Sequence, residues 1–216
     1  MDFEPFGGVM PDDWQETTLN DVCKKITDGS HYSPKNDITA TYPMLSVKDM
    51  QTYGFDFSSC KHIDETEFQK MIANDCVPKK NDILVAKDGS YLKEIFICNR
   101  DENYAILSSI AIFRPNTDII VPELLLALLK SPAVLKEVRE NYVSGSALPR
   151  IVLKDFKKLK IIIPPIDIQK KIEPIMHNYR MKIDNNCSEN QHLSALRDTL
   201  LPKLMNGEID VSAVKI

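Results

Sequence analysis

Polar side chains suited to contacting nucleic acid are concentrated between positions 27 and 35, around the turn-forming dipeptide Asp28-Gly29. The donor and aromatic side chains of this segment are Ser30, His31, Tyr32 and Lys35. Loops of this composition can hydrogen-bond to base edges and to phosphates. The same residues also suit a hairpin turn in which Asp28 and His31 bond to the local backbone. The sequence leaves both interpretations open.

A second polar cluster covers positions 143–150 and is followed by a basic run. The small residues Ser144 and Ser146 precede Arg150, and Lys154, Lys157 and Lys158 come next. Arginine is the usual bidentate reader of guanine, whereas lysine mostly positions phosphates. The alternative is a helix-to-strand connection beside a solvated basic face. Two further candidates for DNA contact, Lys87 and Ser90, flank the turn signal Asp88-Gly89.

Signatures of catalysis are weak. The seven glycines form no phosphate-binding loop, no dinucleotide turn and no nucleophile elbow. The Pro164-Pro165 pair lacks the flanking residues of an adenine methyltransferase motif, so it is interpreted as a stiff joint. Asp82, Lys87 and Glu94 fit a nuclease-like pattern, but such a pattern arises readily by chance in a chain with 27% charged residues. The alternative for Asp82 is a solvated strand end.

Metal ligands and disulfides are not indicated either. The four histidines show no zinc-ligand spacing, and the five cysteines are widely separated and never form a C-x-x-C pair. We therefore expect buried, apolar thiols. We predict no metal, no cofactor and no enzymatic activity for this chain.

The charge balance gives nucleic-acid binding no support by itself, because the net charge is −4 and the pI about 5.6. The charges are segregated, however. The first 21 residues carry six acidic side chains and no Lys or Arg, whereas positions 150–160 carry five basic side chains and one acidic. This distribution allows a basic face. The chain shows no apolar run of membrane-spanning length and no secretory signal, so we expect a cytoplasmic protein without a membrane partner.

Short apolar runs bounded by turn residues predict strands between Trp14 and Pro164. Examples of such runs are 41–47, 82–88, 94–99, 104–115 and 159–165. One helical stretch lies among them, beginning at Pro122 and restarting at Ser131-Pro132. We predict an α+β fold, with a curved, mostly antiparallel sheet domain, packed helices and a long C-terminal coiled-coil-forming helix.

The predicted C-terminal helix covers about residues 167–201. Apolar residues follow alternating steps of three and four, or whole heptads, which is typical of a coiled-coil seam. The seam residues are Ile168, Ile172, Ile175, Tyr179, Leu193, Leu196 and Leu200, and Asn186 lies on the same seam. We expect Pro174 to kink the helix or delay its start, Pro202 to end or bend it, and Asn206-Gly207 to close its tail. The predicted divisions are a junction segment 1–13, a domain 14–165 and a helix with tail 166–216.

Several segments together resemble one half of a type I restriction-modification specificity subunit. They are 10–14 with 18–22, 28–31, 145–151, 161–172 with Gln169, and 196–209, the last being the most specific. One departure is Ile168, where a Glu usually precedes the Gln. The resemblance covers nearly the whole chain. Residues 2–8 resemble the tail of the first spacer helix of full-length members, which suggests a half subunit, a recombining cassette or a fragment.

The resemblance implies a non-catalytic protein in which the domain reads a short half-site on double-stranded DNA and the helix sets the distance to a second half-site. Methylation and cleavage would belong to partner methyltransferase (M) and restriction (R) subunits. Family members usually hold two domains whose two helices pair antiparallel, whereas this chain has one of each. We therefore predict a homodimer through the C-terminal helix. The alternative is a coiled-coil assembly module whose domain reads no sequence, which the acidic balance slightly favours. A nuclease fragment is the third hypothesis.

Overall fold

A computed structural model describes residues 10–88, 92–142 and 151–209 of the chain. The strands in these residues are β1 Gln15–Thr18, β2 Cys23–Asp28, β3 Tyr42–Leu45, β4 Met50–Gln51, β5 Gly54–Phe55, β6 Lys61–Ile63, β7 Ile83–Ala86, β8 Ile95–Ile97, β9 Ala105–Ile106, β10 Ile110–Pro115 and β11 Lys160–Ile163. The helices are α1 Leu19–Val22, α2 Glu65–Ala73, α3 Pro122–Leu129, α4 Pro132–Asn141, α5 Leu153–Lys158 and α6 Ile166–Met205.

The largest sheet is an antiparallel sheet with the strand order β2-β10-β7-β8. Its central strands are almost wholly apolar, because both of their faces are covered. In one row across the sheet, Ile26 pairs with Phe113, Phe113 with Ile83, and Ile83 with Ile97. Successive side chains of a strand point to opposite faces. Strands β7, β8 and β10 therefore contribute to two separate cores, and β2 contributes Ile26 to one of them.

The first core lies between the sheet and the helices. Phe113 packs edge-on against Phe156 of α5, with 5.1 Å between the ring centroids, and Leu125 of α3 and Val134 of α4 belong to the same cluster. On the opposite face, Leu84 and its neighbours pack against Phe55 and Tyr104 in a second core. The four-stranded sheet is thus the layer shared by both cores.

A three-stranded sheet with the order β6-β3-β9 supports a third core under α2. The pairing of β3 with β9 is parallel, whereas that of β3 with β6 is antiparallel. Helix α2 begins at an N-cap, where an Asp64 carboxylate oxygen accepts the Glu67 N–H at 2.8 Å. The α2 helix was not predicted from the sequence, although Asp64 followed three residues later by Glu67 is a helix-start pattern. The short α5 was also not predicted.

The predicted α+β class is confirmed, with mostly antiparallel pairing and a long C-terminal helix. Within the part of the chain that the structure describes, the strands are divided among four sheets, the remaining two being β1-β11 and β4-β5. Strands lie within every predicted apolar run. The helix starts at Pro122 and at Ser131-Pro132 are also confirmed, and the Ser131 hydroxyl accepts the Val134 N–H at 3.3 Å.

Helix α6 is 40 residues long. It begins at Ile166, before Pro174, and continues to Met205, past Pro202. A delayed start and an end at Pro202 are therefore wrong, and the alternatives, a kink at Pro174 and a bend at Pro202, stay predictions. Each proline removes one N–H donor from the hydrogen-bond ladder of the helix. The predicted tail is confirmed, because Gly207 has a φ of +73° and the N–H groups of Gly207 and Glu208 donate to the carbonyl oxygens of Leu204 and Lys203. The chain forms two compact units, Met1–Met176 and His177–Ile216.

Candidate nucleic-acid interface

The loop at residues 28–35 starts from a buried ion pair. The Lys87 side chain is only 5% exposed, and its Nζ lies 2.5 Å from Oδ2 of Asp28. Asp28 ends β2 and Lys87 follows β7, and β10 lies between these two strands. A buried charge is tolerated only when it is paired and hydrogen-bonded, so each of these groups makes the position of the other possible. The pair therefore fixes the beginning of the loop on the sheet.

Gly29 holds the loop close to a neighbouring backbone. A Cβ atom at this position would lie 2.2 Å from the carbonyl oxygen of Ile106, a distance that side chains do not reach without a backbone shift. The Gly29 N–H donates to the Ile110 carbonyl at 3.1 Å, and the Ser30 N–H donates to the Ile106 carbonyl at 2.8 Å. A glycine is therefore required at position 29 because two chain segments approach each other closely there.

The side chains of the loop divide into two groups. Ser30 is buried, and its hydroxyl both donates to the Tyr32 carbonyl at 2.7 Å and accepts from the Tyr32 N–H at 3.1 Å. His31, Tyr32 and Lys35 are exposed, although Nε2 of His31 lies 3.3 Å from Oδ1 of Asp28. Local backbone bonding is thus seen at Ser30, whereas the Asp28 carboxylate is paired with the side chains of Lys87 and His31. The exposed group retains the donors and the aromatic ring that a nucleic-acid contact needs.

Lys87 also connects the loop to the beginning of the basic run. The backbone N–H of Lys87 donates to the Ser109 carbonyl at 3.0 Å, and the backbone carbonyl of Lys87 accepts the N–H of Ile151 at 3.3 Å. Ile151 is buried in the first core. The loop, Lys87 and Ile151 are therefore close together. The other predicted DNA contacts in this region, Ser90, Ser144, Ser146 and Arg150, lie outside the described residues.

The basic residues Lys154, Lys157 and Lys158 are exposed on α5. The helix is held by Phe156, which is buried against Phe113, and it packs on α1 and β2. Lys160 differs from the other three lysines because its Nζ lies 2.7 Å from a carboxylate oxygen of Glu16, and this hydrogen bond raises the pKa of Lys160. The three α5 lysines are exposed cations, of the type that can contact phosphates.

The nuclease-like combination of Asp82, Lys87 and Glu94 is not assembled as a metal centre. Asp82 is fully buried, and Arg114 binds both of its carboxylate oxygens at 2.8 Å, from Nε and from Nη2. Lys87 is paired with Asp28 instead. Across residues 10–88, 92–142 and 151–209, no three His, Cys, Asp or Glu side chains are grouped to hold a metal ion. A bidentate arginine pair is a structural role for Asp82, and it corrects the expectation of a solvated strand end.

Asp75 extends this ion-pair network, which the sequence did not reveal. Its carboxylate lies 2.5 Å from Nζ of Lys25 and 3.0 Å from Nη1 of Arg114. Burial by itself would raise the pKa of Asp75, but the hydrogen bonds from Lys25 and Arg114, together with their positive charges, lower this pKa to about 2. The hydrogen bonds that Arg114 donates to Asp82 and Asp75 in turn raise the pKa of Arg114.

The cysteines are all free thiols, and Cys60, Cys76 and Cys98 are buried as predicted, whereas Cys23 and Cys187 are only partly buried. Burial, reinforced by the charge of Asp82, raises the pKa of Cys23 to about 12. Such a thiol is protonated at neutral pH and is a poor nucleophile.

The predicted seam of α6 faces solvent in the single chain. Tyr179 is 65% exposed, Ile175 58% and Leu193 52%. Ile172, Leu196 and Asn186 are also exposed, and Leu200 is partly exposed. Exposed apolar positions at coiled-coil spacing indicate a surface that another helix can cover.

Gln169 anchors the start of α6 and is fully buried. Its Oε1 accepts the N–H of Val121 at 2.9 Å, and its Nε2 donates to the carbonyl oxygens of Ile119 at 3.0 Å and Pro164 at 2.8 Å. The Gln169 side chain therefore connects the first turn of α6 to Pro164, directly after β11, and to the segment directly before α3. The sequence pointed to Gln169 only through the family resemblance.

The comparison with protein families agrees with this arrangement. The profile of the type I restriction modification DNA specificity domain matches residues 11–195. The chain belongs to this family. The predicted resemblance is thus confirmed, and the specificity domain contains both the loop at 28–35 and the three α5 lysines.

Curated relatives of the specificity domain carry matching names. One is the specificity subunit of the type I restriction enzyme MjaIX of Methanocaldococcus jannaschii, which is 27% identical over 98% of this chain and 50% of the relative. Another is the HindI specificity subunit of Haemophilus influenzae, which is 28% identical over 87% of this chain and 40% of the relative. The chain thus spans about half the length of the curated relatives it matches.

Solved structures support the fold. The type I S subunit from M. genitalium superposes with a TM-score of 0.59 at 18% identity, over 88% of this chain and 45% of that one. The HsdS subunit from Thermoanaerobacter tengcongensis gives a TM-score of 0.56 at 17% identity, over 100% of this chain and 54% of that one. None of the described helices is long and apolar enough to cross a membrane.

Proposed function

We propose that this protein is a non-catalytic DNA sequence-recognition subunit of a type I restriction-modification complex. The observation that carries the proposal is membership of the specificity-domain family over residues 11–195. In this proposal, residues 14–165 form the target-recognition domain and read one half-site of a bipartite site on double-stranded DNA. Residues 166–216 form the spacer helix and tail. The chain acts in the cytoplasm.

The proposed DNA surface combines the loop and the basic helix. The exposed side chains His31, Tyr32 and Lys35 provide donors and an aromatic ring, and the exposed lysines of α5 provide positive charge. Arg150, with Ser90, Ser144 and Ser146, completes the set of candidate contacts. The buried positions of Ser30 and Lys87 favour a role in holding the loop, since their polar groups are already bonded within the chain.

Methylation and cleavage belong, in this proposal, to partner M and R subunits. The chain restores a two-domain arrangement by pairing α6 with α6 of a second copy, since a two-fold dimer presents the same surface twice. The exposed seam of α6 supports this part of the proposal. A dimer of identical domains reads two identical half-sites, and the helix pair sets the distance between them.

The test is to map methylated sites in cells that carry this chain together with its M subunit. We expect methylation at a bipartite, palindromic sequence that disappears when the chain is deleted. The matched control expresses the M subunit alone. Methylation that stays unchanged without the chain would contradict the proposal. A site with two unlike halves would contradict the homodimer while leaving DNA recognition intact.

The second candidate function is a coiled-coil assembly module without sequence-specific DNA reading. The net charge of −4 favours it, because DNA binding requires positive charge on the contact surface. In that case the chain would bind the M subunit through α6, but the complex would bind DNA of any sequence with equal affinity. Random DNA and the mapped methylation site can be made to compete for binding to the complex. Preference for the mapped site supports sequence recognition, and equal affinity supports the assembly module.

A further inference from the structure

The seam of α6 contains two charged residues at its centre. Alternating steps of three and four require one more position between Tyr179 and Asn186 and one between Asn186 and Leu193. These positions are occupied by Lys182 and Glu189. Both side chains are exposed in the single chain. The seam is therefore apolar at its two ends and polar in the middle.

We infer that Lys182 and Glu189 select an antiparallel, self-complementary pairing of α6 with α6 of a second copy. This inference rests on the homodimer in the proposed function and adds which residues decide the orientation and register of the helix pair. The occupant of the exposed seam is a second copy, because the charges of this face are complementary to the same face turned by a two-fold axis.

A parallel, in-register pair is disfavoured by charge. In that arrangement each seam residue faces its own equivalent, so Lys182 meets Lys182 and Glu189 meets Glu189 of the second copy. Like charges placed opposite each other across an interface are strongly unfavourable. Only Asn186 would gain from meeting itself, through an amide-to-amide hydrogen bond. The two like-charge layers flank it and outweigh it.

In an antiparallel pair, the same seam residues face favourable partners. When Ile168 faces Leu200 of the second copy, Ile172 faces Leu196 and Ile175 faces Leu193. The two-fold axis makes each apolar layer occur twice, once at each end of the pair. These layers bury the side chains that are exposed in the single chain.

The central layers of that register are polar and complementary. Tyr179 faces Glu189 of the second copy, and Lys182 faces Asn186. Lys182 then lies one layer, or about 4.5 Å along the axis, from Glu189 of the second copy. Its ammonium group can donate to both the amide oxygen and the carboxylate, while the Tyr179 hydroxyl can donate to the same carboxylate. The two-fold axis repeats these contacts.

The test measures the dimer dissociation constant of the full chain by sedimentation equilibrium. We expect K182E and E189K each to raise it at least about tenfold, because each brings like charges together twice in the dimer. The double variant K182E/E189K should return to within about threefold of the unsubstituted chain. K170E makes the same charge change at an exposed position outside the seam and should have no effect.

The orientation has its own test. Chains carrying I175C should form disulfides with chains carrying L193C when the two are mixed, and neither should cross-link with itself. The unsubstituted chain controls for the native cysteines. Self-cross-linking of I175C chains, or single charge variants that dimerise normally, would overturn the inference and leave the homodimer intact. A monomeric unsubstituted chain at micromolar concentration would overturn both.

Discussion

Nζ of Lys87 lies 2.5 Å from Oδ2 of Asp28, a residue 59 positions earlier in the chain, and both side chains are at least nine-tenths buried. The pair joins the ends of two strands that are not adjacent in the sheet. It also lies where the candidate recognition loop leaves the sheet. The geometry of the proposed DNA surface therefore depends on a charge pair that does not itself face solvent.

We expect Lys87→Met to lower the free energy of unfolding by roughly 3 kcal/mol, because it leaves the Asp28 carboxylate buried without its partner. Urea unfolding at pH 7 measures the change. Lys35→Met, in the exposed part of the same loop, is the control and should cost little. The double variant Asp28→Asn/Lys87→Met should recover part of the loss. A double variant as unstable as Lys87→Met would argue against the pairing as the cause.

Gln169 leads to a second prediction. Gln169→Leu keeps the side-chain size but removes three hydrogen bonds and leaves the buried N–H of Val121 without this acceptor. We expect a loss of roughly 2 to 3 kcal/mol in the free energy of unfolding. Gln191→Leu, at an exposed position of α6, should change stability by less than about 0.5 kcal/mol. Equal stability of the two variants would show that the Gln169 contacts are dispensable.

The third prediction concerns acid stability. The pKa of Asp75 is lowered from 3.8 to about 2 in the folded protein, so this group stabilises the fold fully above its unfolded pKa and loses that effect as the pH falls through 2. The contribution is roughly 2 kcal/mol. Asp75→Asn should remove it at pH 7, and the variant should lose less stability than the unsubstituted chain between pH 5 and pH 2.

Asparagine is a suitable replacement because Asp75 has a φ of +56°, a conformation that asparagine tolerates. Asp118→Asn, at an exposed position, is the control. Urea unfolding at pH 7, 5, 3 and 2 gives the curves. Parallel pH curves for Asp75→Asn and the unsubstituted chain would show that Asp75 is not the group responsible.

The fourth prediction concerns DNA affinity. In the complex with the M subunit, Lys158→Ala should weaken DNA binding of all sequences and lower the slope of log affinity against log salt by about 1, because one phosphate contact is lost. Arg150→Ala should weaken binding mainly to the target sequence that the complex methylates. Lys70→Ala, where the lysine is paired with Glu67, is the control. Unchanged binding and methylation with both Lys158 and Arg150 substituted would exclude these residues from the interface.

Part of the candidate site could be predicted from the sequence. The composition of the loop at 28–35 and of the basic run identified polar segments, because residue types and turn signals are local properties. The roles within those segments could not be predicted. Ser30 and Lys87 are buried and bonded inside the chain, whereas His31 and Tyr32 are exposed. That division depends on which strands become neighbours.

The sequence by itself determined the features that repeat locally along the chain. These are the positions of the strands within the predicted apolar runs, the starts at Pro122 and Pro132, the heptad spacing of α6 and the segments that carry the family resemblance. Only the tertiary structure decided which distant groups meet. Arg114 binds Asp82 and Asp75, and Gln169 binds the backbone at Val121, because strand order and register bring together residues that no local pattern connects. Buried polar groups need partners, and the fold determines which partners are within reach.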